Sequence, residues 1–459
     1  MKSKEDTIAA ISTAPGEAGI AIIRVSGPES LQIADRIFRG SGVAPSMRPA
    51  GTFVHGFVGA RRNGSICDLD EVILLIYRAP HSYTKEDVVE FQGHGGRACA
   101  KRILRAVLDA GARSAEPGEF TKRAFLNGRI DLLQAEAVAD LIMARSDRAA
   151  EAAMEQLEGR LSSSIADIYD SLINAAADLE ASLDFPEEDL PSCLLEGAIN
   201  EITQARKLLD ELYSTWEEGH LIREGALVVI SGKPNVGKST LLNCLLGNNR
   251  AIVTEEPGTT RDSIEEEFIL NGIPLRLVDT AGLRDARNIV EREGIQRAQA
   301  LIKKADLNLF IYDSSEELDS SDISQLKNFD PEECIILLNK SDLGSRISPE
   351  DFTSFTSVTT SLIKGLGVDK LKEALIEKLD ITTTGSPHAV ISERHHHILQ
   401  DVINKVDSIL KVLSQSNEEL LVPAISTLRS AIESLGIITG KNYDKSLLDN
   451  IFGRFCIGK

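Results

Sequence analysis

The first 120 residues alternate short apolar runs with stretches of helical character. Residues 20–25 and 71–77 are rich in β-branched and other apolar residues and are bounded by glycine, proline or aspartate, which predicts two strands. Residues 97–110 have a helical pattern that ends at Gly111, a residue type that often follows a helix. The pattern therefore predicts a mixed α/β domain over residues 1–120.

The pattern changes over residues 121–219. Alanine, leucine, glutamate and arginine dominate, glycine is scarce, and apolar residues recur at intervals of three and four, which predicts long amphipathic helices. Pro186 and Pro191 are expected to interrupt them. The same texture returns over residues 383–459. The simplest interpretation is one helical domain made of both segments, and two unrelated helical pieces remain the alternative.

Residues 220–382 follow a strand–loop–helix rhythm. Apolar runs at residues 227–230, 275–278, 307–312 and 335–338 alternate with helical patterns. This order is typical of a mainly parallel sheet with helices on both faces. We therefore predict an α/β domain that is inserted into the helical domain.

Composition limits the class of protein. The chain has 459 residues, of which 42% are hydrophobic and 26% charged, as expected for two to four globular domains. Its formal net charge of −20 argues against indiscriminate binding of polyanions. The six cysteines are far apart, the start is charged, and no apolar run approaches the ~20 residues of a membrane helix. These features favour a cytoplasmic protein with reduced thiols.

Four separated segments match the motifs of a guanine-nucleotide site, at residues 232–239, 258–262, 279–282 and 339–342. The first fits G-x-x-x-x-G-K-[ST] between a predicted strand and helix, so backbone N–H groups and the positive helix end would face phosphates. The fourth ends at Asp342, whose carboxylate accepts from both the ring N–H and the exocyclic amine of guanine. Adenine lacks that donor pair, so the motifs predict GTP.

Each motif residue has an expected role. Lys238 neutralises phosphate charge, Ser239 and Thr260 bind Mg²⁺, Asp279 holds the ion through water, and Gly282 donates to the γ-phosphate. The whole predicted nucleotide-binding set is Asn235, Val236, Gly237, Lys238, Ser239, Thr240, Thr254, Thr259, Thr260, Asp279, Thr280, Ala281, Gly282, Asn339, Lys340, Asp342 and Ser361.

The hydrolytic machinery departs from the Ras pattern. Leu283 stands where Ras-like proteins place a water-orienting glutamine, and no arginine finger is assigned in this chain. Glu291 is a candidate substitute, although a glutamate on a charged helix is usually only solvated. Asn235 either braces the loop or offers its amide oxygen to a monovalent cation. At the base, residues 361–363 (Ser-Leu-Ile) replace the usual Ser-Ala-Lys, which is tolerable because only a backbone N–H is needed.

Three consecutive histidines, at residues 395–397, suggest a metal site at first sight. Successive helical residues point to different faces, so three neighbours cannot converge on one ion without distortion. We therefore expect a solvated helix start at this position.

Segments along the whole chain resemble the MnmE (TrmE) family of tRNA-modification GTPases. They are residues 6–10, 19–27, 84–96, 113–129 and the terminal 455–459, Phe-Cys-Ile-Gly-Lys. The resemblance implies an N-terminal folate-binding α/β domain, a discontinuous helical domain and an inserted Ras-like P-loop GTPase domain.

The resemblance also implies ligands for particular residues. Arg24, Glu90, Arg129 and Lys459 would bind a 5-formyl-tetrahydrofolate or a related tetrahydrofolate, and otherwise they are ordinary surface or interface charges. Cys456 corresponds to a thiol near that site, either a nucleophile or a structural residue. The implied K⁺ ligands are Asn235, Thr259 and the backbone carbonyls of Thr254 and Glu256. Glu291 would orient the attacking water.

The implied activity is K⁺-activated GTP hydrolysis by a homodimer. Together with the FAD-dependent protein MnmG (GidA), in a heterotetramer, it would add an aminomethyl or carboxymethylaminomethyl group to carbon 5 of the wobble uridine of tRNA. The folate would supply the one-carbon unit. The alternative is a GTP-dependent switch in ribosome assembly, a class that usually carries a KH-type module.

Overall fold

The computed structural model describes residues 6–62, 65–184, 191–247, 265–279, 300–319, 325–327, 329–381, 391–414 and 420–459. The chain forms two compact units. The first unit comprises residues 1–139, 165–173 and 425–459, and the second comprises residues 140–164 and 174–424.

The first unit is built on a seven-stranded sheet. Its strands are β1 (Ile8–Ile11), β2 (Ile20–Ser26), β3 (Phe38–Gly40), β4 (Thr52–Arg62), β5 (Ser65–Tyr77), β6 (Val88–His94) and β7 (Arg113–Ser114), in the order β3-β4-β5-β6-β2-β1-β7. Neighbours are antiparallel except β1 and β7. Both predicted strands are confirmed, and β5 extends further toward the N-terminus in a long hairpin with β4.

Helices α1 (Ser30–Ile37) and α2 (Arg97–Asp109) pack with this sheet in one core. That core contains Ile23, Val25 and Phe91, which are all fully buried. Side chains alternate between the two faces of a sheet along a strand, so the strand residues next to these core residues point to the face opposite the core. Arg24 of β2 and Glu90 of β6 are such residues, and they are direct partners in the strand register.

The C-terminal segment lies beside the sheet. Helix α3 (Glu119–Leu126) packs with a terminal helix, Lys445–Phe452, and the amide of Phe120 donates to the carbonyl of Lys459 at 3.1 Å. Gly458 has a φ of 103°, and a Cβ there would lie 2.2 Å from the carbonyl oxygen of Ile11. Only glycine allows this approach, which is why the terminal Cys-Ile-Gly-Lys carries one.

The second unit contains a six-stranded sheet. Its strands are β8 (Ala226–Gly232), β9 (Glu265–Leu270), β10 (Ile273–Asp279), β11 (Leu307–Asp313), β12 (Cys334–Asn339) and β13 (Thr356–Thr359), in the order β13-β12-β11-β8-β10-β9. All pairs are parallel except β9 with β10. One apolar cluster includes Leu241 and Leu371 from the helices Lys238–Leu246 and Val368–Lys378, and another contains Phe310 and Phe352. The predicted mainly parallel sheet is confirmed.

Within the described ranges, the other α-helices are Leu132–Met143, Asp147–Leu157, Arg160–Asp184, Pro191–Ser214, Trp216–Glu224, Glu393–Leu413 and Leu421–Thr439. The predicted break between long helices falls on residues 185–190, which lie outside the described residues between Arg160–Asp184 and Pro191–Ser214.

The expectation of a solvated histidine cluster is wrong for two of the three residues. His395 is 1% exposed, and its ring Nδ1 accepts from the Ser392 amide at 3.1 Å, so it caps its own helix. The His396 ring stacks on Tyr213 and Trp216 at centroid distances of 4.5 and 4.6 Å. Tertiary packing therefore buries ring faces that the helix periodicity alone leaves open.

One helix in the described part of the chain is long and apolar enough to cross a membrane by length and composition. This helix is Leu421–Thr439, with a mean hydropathy of 1.3. The prediction from the sequence, that no apolar run approaches the length of a membrane helix, did not identify it. Leu428, Ala431 and Leu435 are fully buried at helical spacing inside the protein. That is the pattern of a helix that buries one apolar face in the protein.

Candidate functional sites

The phosphate loop joins β8 to the helix Lys238–Leu246, as predicted. Gly232 and Gly237 have φ angles of 142° and 111°, in the region that favours glycine. A Cβ at Gly232 would lie 2.5 Å from the carbonyl oxygen of Ile311, and one at Gly237 would lie 2.4 Å from the side-chain nitrogen of Asn339. The loop therefore closes tightly onto its neighbours, and this brings backbone N–H groups within reach of a phosphate.

The charged and polar groups of this loop suit an anion with Mg²⁺. Lys238 is 7% exposed, and its ammonium donates to the carbonyls of Gly232 at 3.0 Å and Lys233 at 2.7 Å. Ser239, exposed in the first helical turn, and Asp279, at the end of β10, follow two neighbouring parallel strands. Ligands of open α/β sheets bind at this edge. Asn235 is exposed with a φ of 62°.

The base-binding motif is braced by Asn339. This side chain is 4% exposed, donates to the carbonyl of Val236 at 2.8 Å, and accepts from the amide of Leu362 at 3.1 Å. The leucine that replaces the usual alanine is 3% exposed and packs into the core. Core packing thus accommodates leucine in place of the usual alanine. Through these two hydrogen bonds, Asn339 connects the phosphate loop at Val236 to the segment that contains Leu362.

Asp342 is held as a carboxylate. Ser361 Oγ donates to Asp342 Oδ1 at 2.7 Å, and this hydrogen bond lowers the pKa of the carboxyl group below its ordinary value. Lys340, with a φ of 63°, donates from Nζ to Asp313 Oδ2 at 2.6 Å. An ionised Asp342 presents only acceptors, as the two donors of guanine require.

Part of the predicted nucleotide site lies outside the described residues. This applies to Thr254, Glu256, Thr259, Thr260, Thr280, Ala281, Gly282, Leu283 and Glu291. The structure brings together the other predicted nucleotide residues: the phosphate loop, Asp279, the Asn339–Asp342 motif and Ser361.

A second pocket, of about 470 Å³, lies in the first unit. Its lining includes Arg24, Tyr77, His81, Tyr83, Glu90 and Arg129, which brings three of the four predicted folate residues together. Arg24 Nε donates to Glu90 Oε1 at 2.7 Å. The ion pair forms because β2 and β6 place the two side chains opposite one another on the same sheet face.

Lys459, the fourth predicted folate residue, is near this pair. Burial lowers the pKa of its ammonium, and the positive charge of Arg24 lowers it further, while Glu90 and Cys456 act in the opposite direction. Cys456 itself is exposed. Two arginines and one carboxylate line the pocket, and the Lys459 ammonium is near them, so the pocket favours an anionic ligand.

The aromatic side chains of this pocket were not predicted from the sequence. The guanidinium carbons of Arg24 and Arg129 lie 5.1 and 4.7 Å from the centre of the Tyr83 ring. Burial, and then the charge of Glu90, raise the pKa of Tyr77. Tyr83 directly precedes residues 84–96, one of the segments that resemble the family. This neighbouring position was the one sequence feature that could have identified Tyr83 as a pocket residue.

The glycine-constrained loop, the buried lysine and the asparagine–aspartate motif on a parallel sheet define a P-loop guanine-nucleotide-binding protein. Residues 132–456 match the model of the MnmE helical domain, and residues 7–129 match that of the GTP-binding protein TrmE N-terminus. The chain belongs to the MnmE (TrmE) family of tRNA-modification GTPases. The expected combination of N-terminal, helical and P-loop parts is confirmed.

Curated relatives match over almost their whole length. The tRNA modification GTPase MnmE of Bacillus velezensis is 42% identical over 99% of this chain and 100% of the relative. The protein of the same name from Geobacter sulfurreducens is 43% identical over 99% of both chains.

Two solved structures are similar to part of this chain. A variant of Aquifex aeolicus Era bound to GDP.AlF4- is 26% identical over 40% of this chain and 67% of that chain, with a TM-score of 0.28. The G domain of the T. maritima FeoB iron transporter is 27% identical over 33% of this chain and 98% of that chain, with a TM-score of 0.26.

Proposed function

We propose that this tRNA-modification GTPase acts with an FAD-dependent partner, MnmG (GidA). The observation that carries the proposal is the 42% identity to curated MnmE proteins over 99% of the chain. The carboxylate of Asp342, held by Ser361 at 2.7 Å, supports guanine as the base. The product would be an aminomethyl or carboxymethylaminomethyl group at carbon 5 of the wobble uridine.

The proposed assembly is a cytoplasmic homodimer that forms a heterotetramer with MnmG. The proposed domains are a folate-binding and dimerisation domain (1–120), a helical domain (121–219 with 383–459) and an inserted GTPase domain (220–382). Arg24, Glu90, Arg129 and Lys459 would hold a tetrahydrofolate. The cationic excess of their pocket fits its carboxylates, and Glu90 fits the N–H groups of a pterin.

Modified nucleosides in tRNA from a deletion strain test this function. Loss of the wobble-uridine modification, restored by the chain but not by Lys238→Ala, is the expected result. Normal tRNA together with accumulated ribosomal precursors would instead support the switch in ribosome assembly.

We infer that Mg²⁺ and K⁺ assist hydrolysis. Ser239 and Thr260 would ligate Mg²⁺, with Asp279 acting through water. Asn235, Thr259 and the carbonyls of Thr254 and Glu256 would hold K⁺, whose charge would replace that of an arginine finger beside the phosphates. The exposed Asn235, held at a φ of 62° in the phosphate loop, supports this assignment.

GTP hydrolysis is expected to be several-fold faster in KCl than in NaCl at equal ionic strength. K⁺ and Na⁺ carry the same charge, so a difference reports a site that selects by size and not general screening. Steady-state phosphate release measures this, and Asn235→Ala should abolish the difference. Equal rates in both salts with the unaltered chain would contradict the K⁺ site.

Glu291→Ala should lower kcat at least about tenfold, on the order of 1.4 kcal/mol in the barrier, with little change in GTP affinity. The physical reason is that the proposed role of Glu291 is to orient the attacking water, and Leu283 offers no hydrogen bond for that role. Single-turnover hydrolysis and nucleotide titration separate the two effects. Unchanged turnover would assign the water to another group.

A further inference from the structure

Tyr83 contacts two of the cations in the anion-binding pocket. Its ring centre lies 5.1 Å from the guanidinium carbon of Arg24 and 4.7 Å from that of Arg129. Both distances are within the ~6 Å over which the negative face of an aromatic ring attracts a cation. One ring thus engages two like-charged groups, which repel each other.

The position of this ring is itself fixed. The hydroxyl groups of Tyr83 and Thr121 are 2.9 Å apart, and Thr121 is fully buried. The backbone carbonyl of Tyr83 accepts from Arg129 Nη1 at 3.1 Å. The ring also packs against the small apolar cluster that contains Ile8 and Phe120. Tyr83 is therefore a rigid support and not a mobile side chain at the rim.

Arg24 retains hydrogen-bonding capacity despite its pair with Glu90. Its Nε donates to that carboxylate, but Nη1 is buried and has no hydrogen-bond partner among the residues that the structure describes. Leaving a charged donor unpaired is unfavourable, and an anion that accepts from it would restore the missing bond. The orientation of this guanidinium then decides whether the bond forms.

We propose that Tyr83 is a positioning residue that holds Arg24 and Arg129 in the orientation that binds the anionic part of a folate. This inference rests on the proposed folate site. The ring attracts both guanidinium groups, which lie 5.1 and 4.7 Å from its centre, and so restrains the orientation of each. Without the ring, Arg24 keeps its bond to Glu90 and Arg129 keeps its bond to the backbone carbonyl of residue 83, but each guanidinium loses an aromatic contact that restrains it. The ligand would then have to order both groups on binding.

The test compares binding of 5-formyl-tetrahydrofolate by calorimetry in full-length variants. Tyr83→Leu should raise the Kd at least about tenfold and weaken its dependence on salt, because fewer oriented charges meet the ligand. Tyr83→Phe keeps the ring and should stay within about threefold. Tyr169→Leu is the matched control, since Tyr169 carries a cation, Lys441 Nζ, at 3.6 Å outside the pocket of the same unit.

GTP hydrolysis by the control variant Tyr169→Leu should equal that of the wild type. If the wild type binds the folate and Tyr83→Leu binds it equally well, the positioning role is overturned and the folate site stands. An equal loss in Tyr83→Phe would assign the effect to the hydroxyl bond with Thr121 and also overturn it. No binding by the wild type would overturn the folate site itself. Tyr83→Met provides the same comparison if the leucine variant does not fold.

Discussion

Asp342→Asn is expected to weaken GTP binding on the order of 100-fold or more and to favour xanthosine triphosphate. The carboxylate offers two acceptors to two donors of guanine, and hydrogen bonds to a charged group are the stronger kind. An asparagine amide replaces one acceptor with a donor, which faces a donor of guanine. Xanthine has a carbonyl in place of the exocyclic amine of guanine, and this carbonyl can accept from the side-chain amide of the Asp342→Asn variant.

The structure supports a simple exchange of base preference in this variant. Ser361 Oγ, 2.7 Å from the carboxylate, can bond to an amide oxygen equally well, so the side chain should keep its position. Titration with fluorescent GTP and xanthosine triphosphate measures both affinities. Asp369→Asn, an exposed position in the same unit, should bind GTP like the wild type. An unaltered GTP affinity in Asp342→Asn would mean that the base is recognised elsewhere.

Arg123→Met is expected to lower the free energy of unfolding by about 3–5 kcal/mol, the range for breaking a buried ion pair. Arg123 is 3% exposed and bonds to Asp6 Oδ1 at 2.8 Å, Glu119 Oε1 at 3.1 Å and Glu86 at 3.2 Å. Removing the guanidinium leaves Glu119, 8% exposed, with one arginine partner fewer. Lys122, which neighbours Arg123 on α3, forms a more exposed pair with Asp449 of the terminal helix, so Lys122→Met should have an effect of at most about 1 kcal/mol.

The effect of Arg123→Met should also depend on pH. Burial raises the pKa of Glu119, but hydrogen bonds from Arg113, the Glu116 backbone and Arg123 outweigh it, so the pKa lies below its ordinary value. A lowered carboxyl pKa stabilises the fold above the unfolded-state pKa, and this stabilisation disappears as the pH falls through the folded-state pKa. Urea unfolding followed by circular dichroism should therefore show the difference between wild type and variant shrinking from pH 7 toward acid. A constant difference would contradict this linkage.

Much of the nucleotide site was predictable because its information is local. The phosphate loop needs a strand, a glycine-bounded turn and a helix in immediate succession, and residues 226–246 contain all three. Parallel strands then bring Asp279 and Asn339 to the same sheet edge, which the alternation of strands and helices already implies. Gly232 and Gly237 lie at the two ends of the phosphate loop, and their backbone conformations are ones that only glycine adopts freely.

The anion-binding pocket was predictable only through resemblance, since its parts are distant in the chain. Arg24 meets Glu90 because of strand register, and Lys459 reaches them because Gly458 lies against Ile11. No periodicity specifies such pairings, which depend on how separate elements pack.

What the sequence by itself determined is the class of each domain, six of the described strands, the P-loop and the guanine motif, because these depend on neighbouring residues. Only the tertiary structure decided which charged residues of the 113–129 segment form structural ion pairs and which line the anion-binding pocket. Arg113, Glu119 and Arg123 lie in one segment of the family resemblance, yet they form a structural ion network with Asp6. Arg129, from the same segment, lies on Tyr83 in the pocket instead. The difference is burial, since Arg123 is enclosed among three carboxylates whereas Arg129 remains near solvent with one aromatic face.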